Sequence, residues 1–254
     1  MSRVAWRVLP AAAAFAALFG AWELLVRLRN VKRVILPPPS AIAADIWTNA
    51  GQWRHDAWVT GYEAALGLAV AATVAIGLAV LITHSRLLER ALLPVVAVVQ
   101  VTPVLALAVP LAVWLGLGLA PRVVMAALIT FVPLLVNAVA GFRAIDRDTF
   151  ELMQSVSASR TEVFFKLRVP YALPYLFAAV RVCVGLALIG ALVSEWNSSS
   201  RGLGNRMIRA QNQLLMTKVW AAVFVLMIMG LIGTGLVTAL EKRVLRWHAG
   251  APAA

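Results

Sequence analysis

The stretch Glu151-Leu-Met-Gln-Ser-Val-Ser157, continued by Ala158 to Leu167 and closed by Arg168-Val-Pro170, is a polar break between long apolar runs. A charged, helix-compatible segment of this kind lies outside a bilayer, where water can reach it, and offers a surface on which something docks. The pattern predicts a short helix near Phe150–Ala158, a turn, and a second helix to Leu167 that Pro170 ends. Thr149 is placed to cap the first helix, with Glu151 in its first turn against the positive end of the helix dipole.

Outward from this break the chain is membrane-grade. Apolar residues make up 62% and charged residues 13% of 254, against about 45–50% and about 25% in soluble domains. Mean hydropathy is +0.86. Six segments approach the ~20 apolar residues needed to cross a bilayer core: 6–28, 61–83, 91–117, 122–142, 172–194 and 219–240. The first has Arg3 and Arg7 ahead of an Ala-rich run, as a signal peptide would, but its apolar stretch continues to Leu28. That length favours an uncleaved helix. Within it Glu23 must face protein or sit near the interface.

The net charge of +12 suggests nucleic acid at first sight. The basic residues instead cluster in the breaks between spans, and no basic patch is interleaved with stacking aromatics. No nucleic-acid partner is expected. Charge does not set the orientation: Lys and Arg divide twelve to ten between the two sides, with Arg181 inside a span. The single cysteine, Cys183, lies in an apolar run and permits no intrachain disulfide.

Pro94, Pro103, Pro110, Pro121 and Pro133 punctuate the third and fourth spans. Each removes a backbone donor, and such kinks survive in lipid where neighbouring helices or water re-satisfy the freed carbonyls. Gln100-Val-Thr102-Pro103 sets two polar side chains beside one kink and marks a candidate translocation pathway, against the alternative of bent packing helices. Glu195, with Trp196 and Asn197 at the start of the loop before the last span, is grouped with that pathway as a possible outer-gate residue; an ordinary exposed loop is the alternative. Arg181, near mid-depth of the fifth span, needs a partner, and Glu63 is the candidate for an intramembrane charge pair. Gly67, Gly77, Gly185, Gly190, Gly230, Gly233 and Gly235 are small residues within spans that permit close helix approach.

Leu36-Pro-Pro-Pro-Ser40 is a stiff extended connection. Ser40 is placed to cap a short helix from Ala41 to about Ala50 with Ile42, Ile46 and Trp47 on one face. With Trp53 and Trp58 nearby this reads as an interfacial helix.

Several of these pieces together resemble the permease subunits of ABC importers of the nitrate/sulfonate/taurine type. The 143–170 break resembles the family's coupling loop, which carries Glu-Ala-Ala, a Gly four residues on, and a Pro thirteen residues after that. Here Glu151, Leu152, Met153, Ser157 and Pro170 stand at those offsets. Further pieces follow in order: Leu36-Pro-Pro-Pro-Ser40; Pro103 through Pro110-Leu111 to Leu115-Gly-Leu-Gly118; Phe165-Lys-Leu-Arg-Val-Pro-Tyr-Ala-Leu-Pro174 with Phe177-Ala-Ala-Val-Arg181; Ser194-Glu195 with Arg201-Gly-Leu-Gly204; and Leu240-Glu-Lys-Arg-Val-Leu-Arg-Trp247. The chain departs at Glu63, where similar permeases carry a basic residue.

The resemblance implies an all-α integral membrane protein of about six transmembrane helices with the type I ABC importer permease (MetI-like) fold. It implies an N-terminal helix and external segment over 1–59, a permease domain over 60–247 with its coupling loop at 143–170, and a short tail over 248–254. It further implies a bacterial inner-membrane subunit with both termini cytoplasmic, working with a second copy of itself, two cytoplasmic ATPase subunits and an external solute-binding protein. The solute expected is a small organic anion such as a sulfonate, taurine, nitrate or aromatic acid, with a pyrimidine-type vitamin precursor as the alternative. None of the four lysines follows a glycine, so the chain has no Gly-Lys-Ser/Thr phosphate loop, and ATP and Mg belong to the partner ATPase. No HExxH, CxxC or GxSxG is present, and His55, His84 and His248 are scattered; no enzyme activity, cofactor or metal is expected. The rival is an ion-coupled secondary transporter, which would carry carboxylates within its spans.

Overall fold

The computed structural model describes residues 3–155 and 157–245, so the expected tail at 248–254 lies outside the described residues. Those residues are helical, with no strand among them. In order they are α1 (Arg3–Leu28), α2 (Pro39–Thr48), α3 (Ala50–His84), α4 (Arg86–Val101), a 3-10 turn (Val104–Leu107), α5 (Ala108–Leu115), α6 (Leu119–Arg143), α7 (Arg147–Ser155), α8 (Arg160–Glu162), a π turn (Val163–Arg168), α9 (Val169–Ser198), α10 (Leu203–Asn212) and α11 (Met216–Val244).

Among the described residues four helices are long and apolar enough to cross a membrane: α3, α6, the continuous helix from Arg160 to Ser198, and α11. The pair α4 and Val104–Leu115 makes a fifth if counted as one span, bent by 82°. Six spans were expected. α1 is a helix of 26 residues but stays outside that set; it carries Pro10, Glu23 and Arg27. The bend falls where sequence chemistry puts it. Pro103 supplies no N–H and forces Thr102 into an extended conformation, ψ 131°. Thr102 Oγ1 turns back and donates to Val98 O at 2.8 Å, satisfying a carbonyl at the broken end.

The core is a three-helix sandwich of α3, α6 and α9. Ala71, Ala75 and Ala79 form a buried stripe on α3 against Leu134, Leu135, Ala138 and Phe142 of α6 and Ala172, Ala179 and Cys183 of α9. Such spacing every four residues presents one smooth face, and small faces let helix backbones approach where lipid gives no hydrophobic gain. Ala126 marks the tightest point. A Cβ on Gly67 would stand 2.5 Å from Ala126 Cβ, and one on Gly190 would stand 2.7 Å from Ala126 Cα. Gly77, Gly185 and Gly235 have nothing within reach. The sequence names the small residues but not which of them sit at crossings.

α3 runs unbroken from Ala50 to His84, with no proline in between to stop it, so residue 59 falls within one helix. One local expectation changes. Ser40 lies inside the first turn of α2 rather than capping it. Its amide and hydroxyl donate to Glu23, at 3.0 and 2.7 Å, and Arg27 Nε adds a bond of 2.6 Å. Glu23 is thus the acceptor for the helix start, which accounts for a carboxylate in an apolar helix. Ile42 and Ile46 pack into the bundle, whereas Trp47, one residue past that i, i+4 pair, is 86% exposed.

Candidate functional site

Two polar regions stand at opposite ends of α9. Val169 and Glu195 are separated along it by about 39 Å, at 1.5 Å per residue.

At the first end lies the predicted docking segment. α7 begins after Asp146, whose Oδ1 accepts the Thr149 amide at 2.9 Å. Asp146, not Thr149, is therefore the cap, and the bonds from Thr149's hydroxyl and amide hold its carboxyl below the ordinary aspartate value. After α7, Ser157 adopts φ +53°, and the Ala158 amide reaches back to Met153 O at 3.0 Å. That six-to-one bond with a left-handed residue is a Schellman stop, which favours glycine. It gives a physical reason for the glycine at this offset in the resembled loop, and Ser157 meets the requirement without it.

Ser159 then forms a capping box with Glu162: Ser159 Oγ accepts the Glu162 amide at 3.2 Å, and Glu162 Oε2 accepts the Ser159 amide at 3.0 Å. The expected stop at Pro170 does not occur. The helix continues through the π turn, in which the Val169 amide bonds Phe164 O, five residues back. Pro170 then sits in the opening turn of α9, where a missing amide is tolerated. The π turn takes up the proline without breaking the rod.

This segment is tied to the spans by Phe164. Its ring lies 5.7 Å from His84 at the end of α3 and 5.9 Å from Phe142 at the end of α6. On the other side the segment is open. Leu152 and Phe165 are each 64% exposed, and Glu151 is exposed as well. Met153 is half-buried.

At the other end of α9 is a buried polar latch that the sequence reading did not assemble. α10 starts on three acceptors from other helices. The Gly202 amide reaches Asp56 Oδ1 at 3.4 Å, the Leu203 amide reaches Thr60 Oγ1 at 2.9 Å, and the Gly204 amide reaches Glu195 Oε2 at 2.6 Å. The Thr60 hydroxyl in turn donates to Glu195 Oε1, 2.6 Å away. These are the orphan amides of a helix start, satisfied by α3 and α9 instead of a local cap. Both glycines are obligatory. Gly202 has φ +95° and faces the Glu195 carboxyl, while a Cβ on Gly204 would collide with Leu192 O. The Glu195 and Gly202-Leu-Gly204 motifs are therefore one device.

Cations complete it. Arg206 pairs with Asp56, donates to Gln52 Oε1 at 3.0 Å and lies 4.7 Å above the Trp53 ring. Arg122 pairs with Glu63 and donates to Ser199 Oγ at 3.2 Å and Gly118 O at 2.6 Å.

The Glu63–Arg181 pair expected from sequence is not formed. Arg181 pairs with Glu241 of α11, and Glu63 pairs with Arg122 of α6. The register explains this. Glu63 lies at the level of Glu195, which is about 21 Å further along α9 than Arg181. Glu195, grouped with the pathway, is wholly buried with both oxygens engaged, so its carboxylate is closed to a solute in this conformation. Gln100, Thr102 and Pro103 remain together at the α4 bend, with Gln100 exposed. Arg122, Asp56 and Thr60 were missed. The one available signal was a charge in the opening turn of a predicted span.

Comparison with known proteins fits this arrangement. Residues 62–246 match the family described as binding-protein-dependent transport system inner membrane component. The chain is 33% identical over 206 residues to a probable ABC transporter permease protein of Haemophilus influenzae, covering 81% of this chain and 84% of that one. It is 30% identical to the formylaminopyrimidine transport permease protein ThiX of Halalkalibacterium halodurans, covering 89% and 91%. It is 33% identical to the riboflavin transport system permease protein RibX of Chloroflexus aurantiacus, covering 98% and 94%. More distant relatives are named for aliphatic sulfonates, taurine and nitrate. The chain belongs to the family of binding-protein-dependent transport system inner membrane components, and it is the permease subunit of an ABC importer.

Proposed function

We propose that this permease works as a pair of identical copies, with a cytoplasmic ATPase docked on each 143–170 segment and an external binding protein delivering the solute. The chain sits in the bacterial inner membrane with both termini cytoplasmic; ATP and Mg are held by the ATPase, and this subunit binds no cofactor. The observation that carries the docking surface is Leu152 and Phe165, large apolar side chains exposed on a segment between spans whose backbone is pinned by a Schellman stop and a capping box. Unpartnered apolar groups rimmed by charge mark protein contacts. Closure of the ATPases pushes this rigid segment, and Phe164 passes the motion to the ends of α3 and α6. Two copies of the α4 bend, with Gln100, Thr102 and Pro103, line the pathway.

For the solute, relatives at 30–33% identity are named for a formylaminopyrimidine and riboflavin, those at 26–28% for sulfonates, taurine and nitrate. Gln100 and Thr102 are uncharged. Both features favour a heterocyclic, vitamin-type solute over the small organic anion expected from sequence.

The test uses cells carrying the permease with its ATPase and binding protein. Glu151→Lys and Leu152→Asp leave the permease inserted but lose co-purifying ATPase and uptake. Normal ATPase recovery in both variants sinks the docking surface. Gln100→Leu or Thr102→Leu lowers solute-stimulated ATP hydrolysis per assembled complex, and unchanged stimulation removes the pathway assignment. Calorimetry of the binding protein with formylaminopyrimidine, riboflavin and taurine separates the solute classes.

A further inference from the structure

Between α3, α9 and α11 the wall of the bundle opens into a groove of about 680 Å³. Small residues are prominent in its lining, among them Gly61, Ala64, Ala65, Ala187 and Gly233; at Gly61 and Gly233 the side chains of Met229 and Val184 close in, and Ala65 is the exposed one of the three alanines. Along α3 the groove runs from Arg54 to Leu68, about 21 Å at 1.5 Å per residue. One leaflet with its headgroups is about 20–22 Å deep, half of a bilayer.

Polarity along the groove follows the same order as a lipid. Leu68, Ile232 and Leu236 line its deep end. Higher up, Trp58 is 73% exposed and Tyr62 is exposed beside it, residue types that settle at the headgroup boundary. One turn above Trp58 stands Arg54, exposed and without an ion pair or hydrogen bond among the described residues. The nearest acid on its helix, Asp56, is taken by Arg206.

We propose that this groove is a phospholipid site: an acyl chain lies over Ala65 between Leu68 and Leu236, and an anionic headgroup is met by Arg54. A second copy meeting this groove by the same face would bring another Arg54 and no acid, since the groove lining holds neither Asp nor Glu. A free phosphate would have no use for an apolar lining.

The test uses the complete transporter in nanodiscs containing brominated phosphatidylglycerol or brominated phosphatidylcholine at equal mole fraction. Quenching that disappears in Trp58→Phe reports a bromine beside that residue. Apparent affinity is expected to be about five-fold higher for phosphatidylglycerol, the effect of one arginine at an anionic surface. Ala65→Phe, at an exposed position in the lining, removes the Trp58-dependent quenching by both lipids. Arg54→Glu, on an exposed turn, keeps the quenching but abolishes the preference, and tests the headgroup even if Ala65→Phe folds poorly. Equal quenching of the unaltered protein by both lipids, or quenching untouched by Ala65→Phe, overturns the site. Disulfide capture of two copies through Ala65→Cys assigns the groove to the subunit contact and also overturns it.

Discussion

The two ends of α9 treat polar residues in opposite ways. At the latch end, Asp56, Thr60, Glu63 and Glu195 are buried and accept from other parts of the same chain, Glu63 through the one oxygen that meets Arg122. At the docking end, Glu151 and Leu152 are exposed, and among the described residues the turn that follows their helix is held by the Schellman bond and the capping box. The first arrangement makes three spans and α10 one body. The second keeps a stiff surface free for a partner. A transporter driven from outside its own chain needs both: something that pushes, and a bundle that answers as a unit. Damage at the latch end should therefore appear as lost stability, damage at the docking end as lost coupling.

The sharpest attempt to break this contrast is Arg122→Ala. It strands the buried Glu63 carboxylate, and removing one partner of a buried ion pair typically costs about 3–5 kcal/mol. The thermal midpoint of the purified subunit should fall steeply and the yield of inserted protein with it. The double replacement Arg122→Leu with Glu63→Leu should recover most of the loss, since no charge is then left unpaired. A double variant as unstable as the single one would mean that Arg122 acts through Ser199 and Gly118 instead.

Gly204→Ala comes next. The added methyl meets Leu192 O, and overpacking of a tight site costs about 1–3 kcal/mol. Gly77→Ala, in a position with open space, is the matched control. Equal melting points for the two variants would remove α10 from the rigid body.

Ser157→Gly tests the docking end in the opposite direction. A left-handed backbone costs a residue with a side chain about 1–2 kcal/mol, so glycine should stabilise the turn after α7. Amide exchange of Ala158 should slow, with ATPase recovery at least as high as before. Faster exchange at Ala158 would show that the turn is not held by the bond to Met153.

How much of this was legible in the sequence depends on the distance between partners. Ser157 and the capping box at Ser159–Glu162 are local and were open to reading, yet the expected helix ran to Ala158 with Ser157 inside it, whereas α7 ends at Ser155 and Ser157 is the left-handed turn residue. Pro103, equally local, announced the α4 bend. Pro170 misled, because a proline ends a helix or opens one, and the π turn that decides between them leaves no mark in residue type. Glu195 and Gly204 stood in one quoted motif, yet the contact between them was invisible. Arg181 and Glu63 were each read as charges needing a partner. Choosing the partner requires the axial register of helices sixty residues apart, and hydropathy fixes the existence of a span without fixing its height. Arg122–Glu63 and Arg181–Glu241 are the two answers that only coordinates supply.

The smallest effect expected is one of pH, and it separates the two ends by a different property. Asp146 is exposed at the start of α7, and its carboxyl is held below the usual aspartate range by hydrogen bonds from the Thr149 hydroxyl and amide. Folding therefore favours its charged form. That contribution is complete above the ordinary aspartate value of about 3.9. It fades as pH falls through the lower native value, when the proton returns and the cap weakens. Hydrogen exchange of α7, corrected for intrinsic rates, should show protection at about pH 5 that is selectively lost as pH falls below the ordinary aspartate value. Asp146→Asn keeps an oxygen acceptor for the Thr149 amide but does not titrate, so the selective loss in α7 should be smaller in that variant. Arg143–Glu89 and Lys166–Glu162 are ion pairs of the segment outside α7, the second of them after Ser159. Loss of protection confined to residues after Ser159 would place the acid sensitivity there. An identical pH profile in Asp146→Asn would take the cap of α7 away from Asp146.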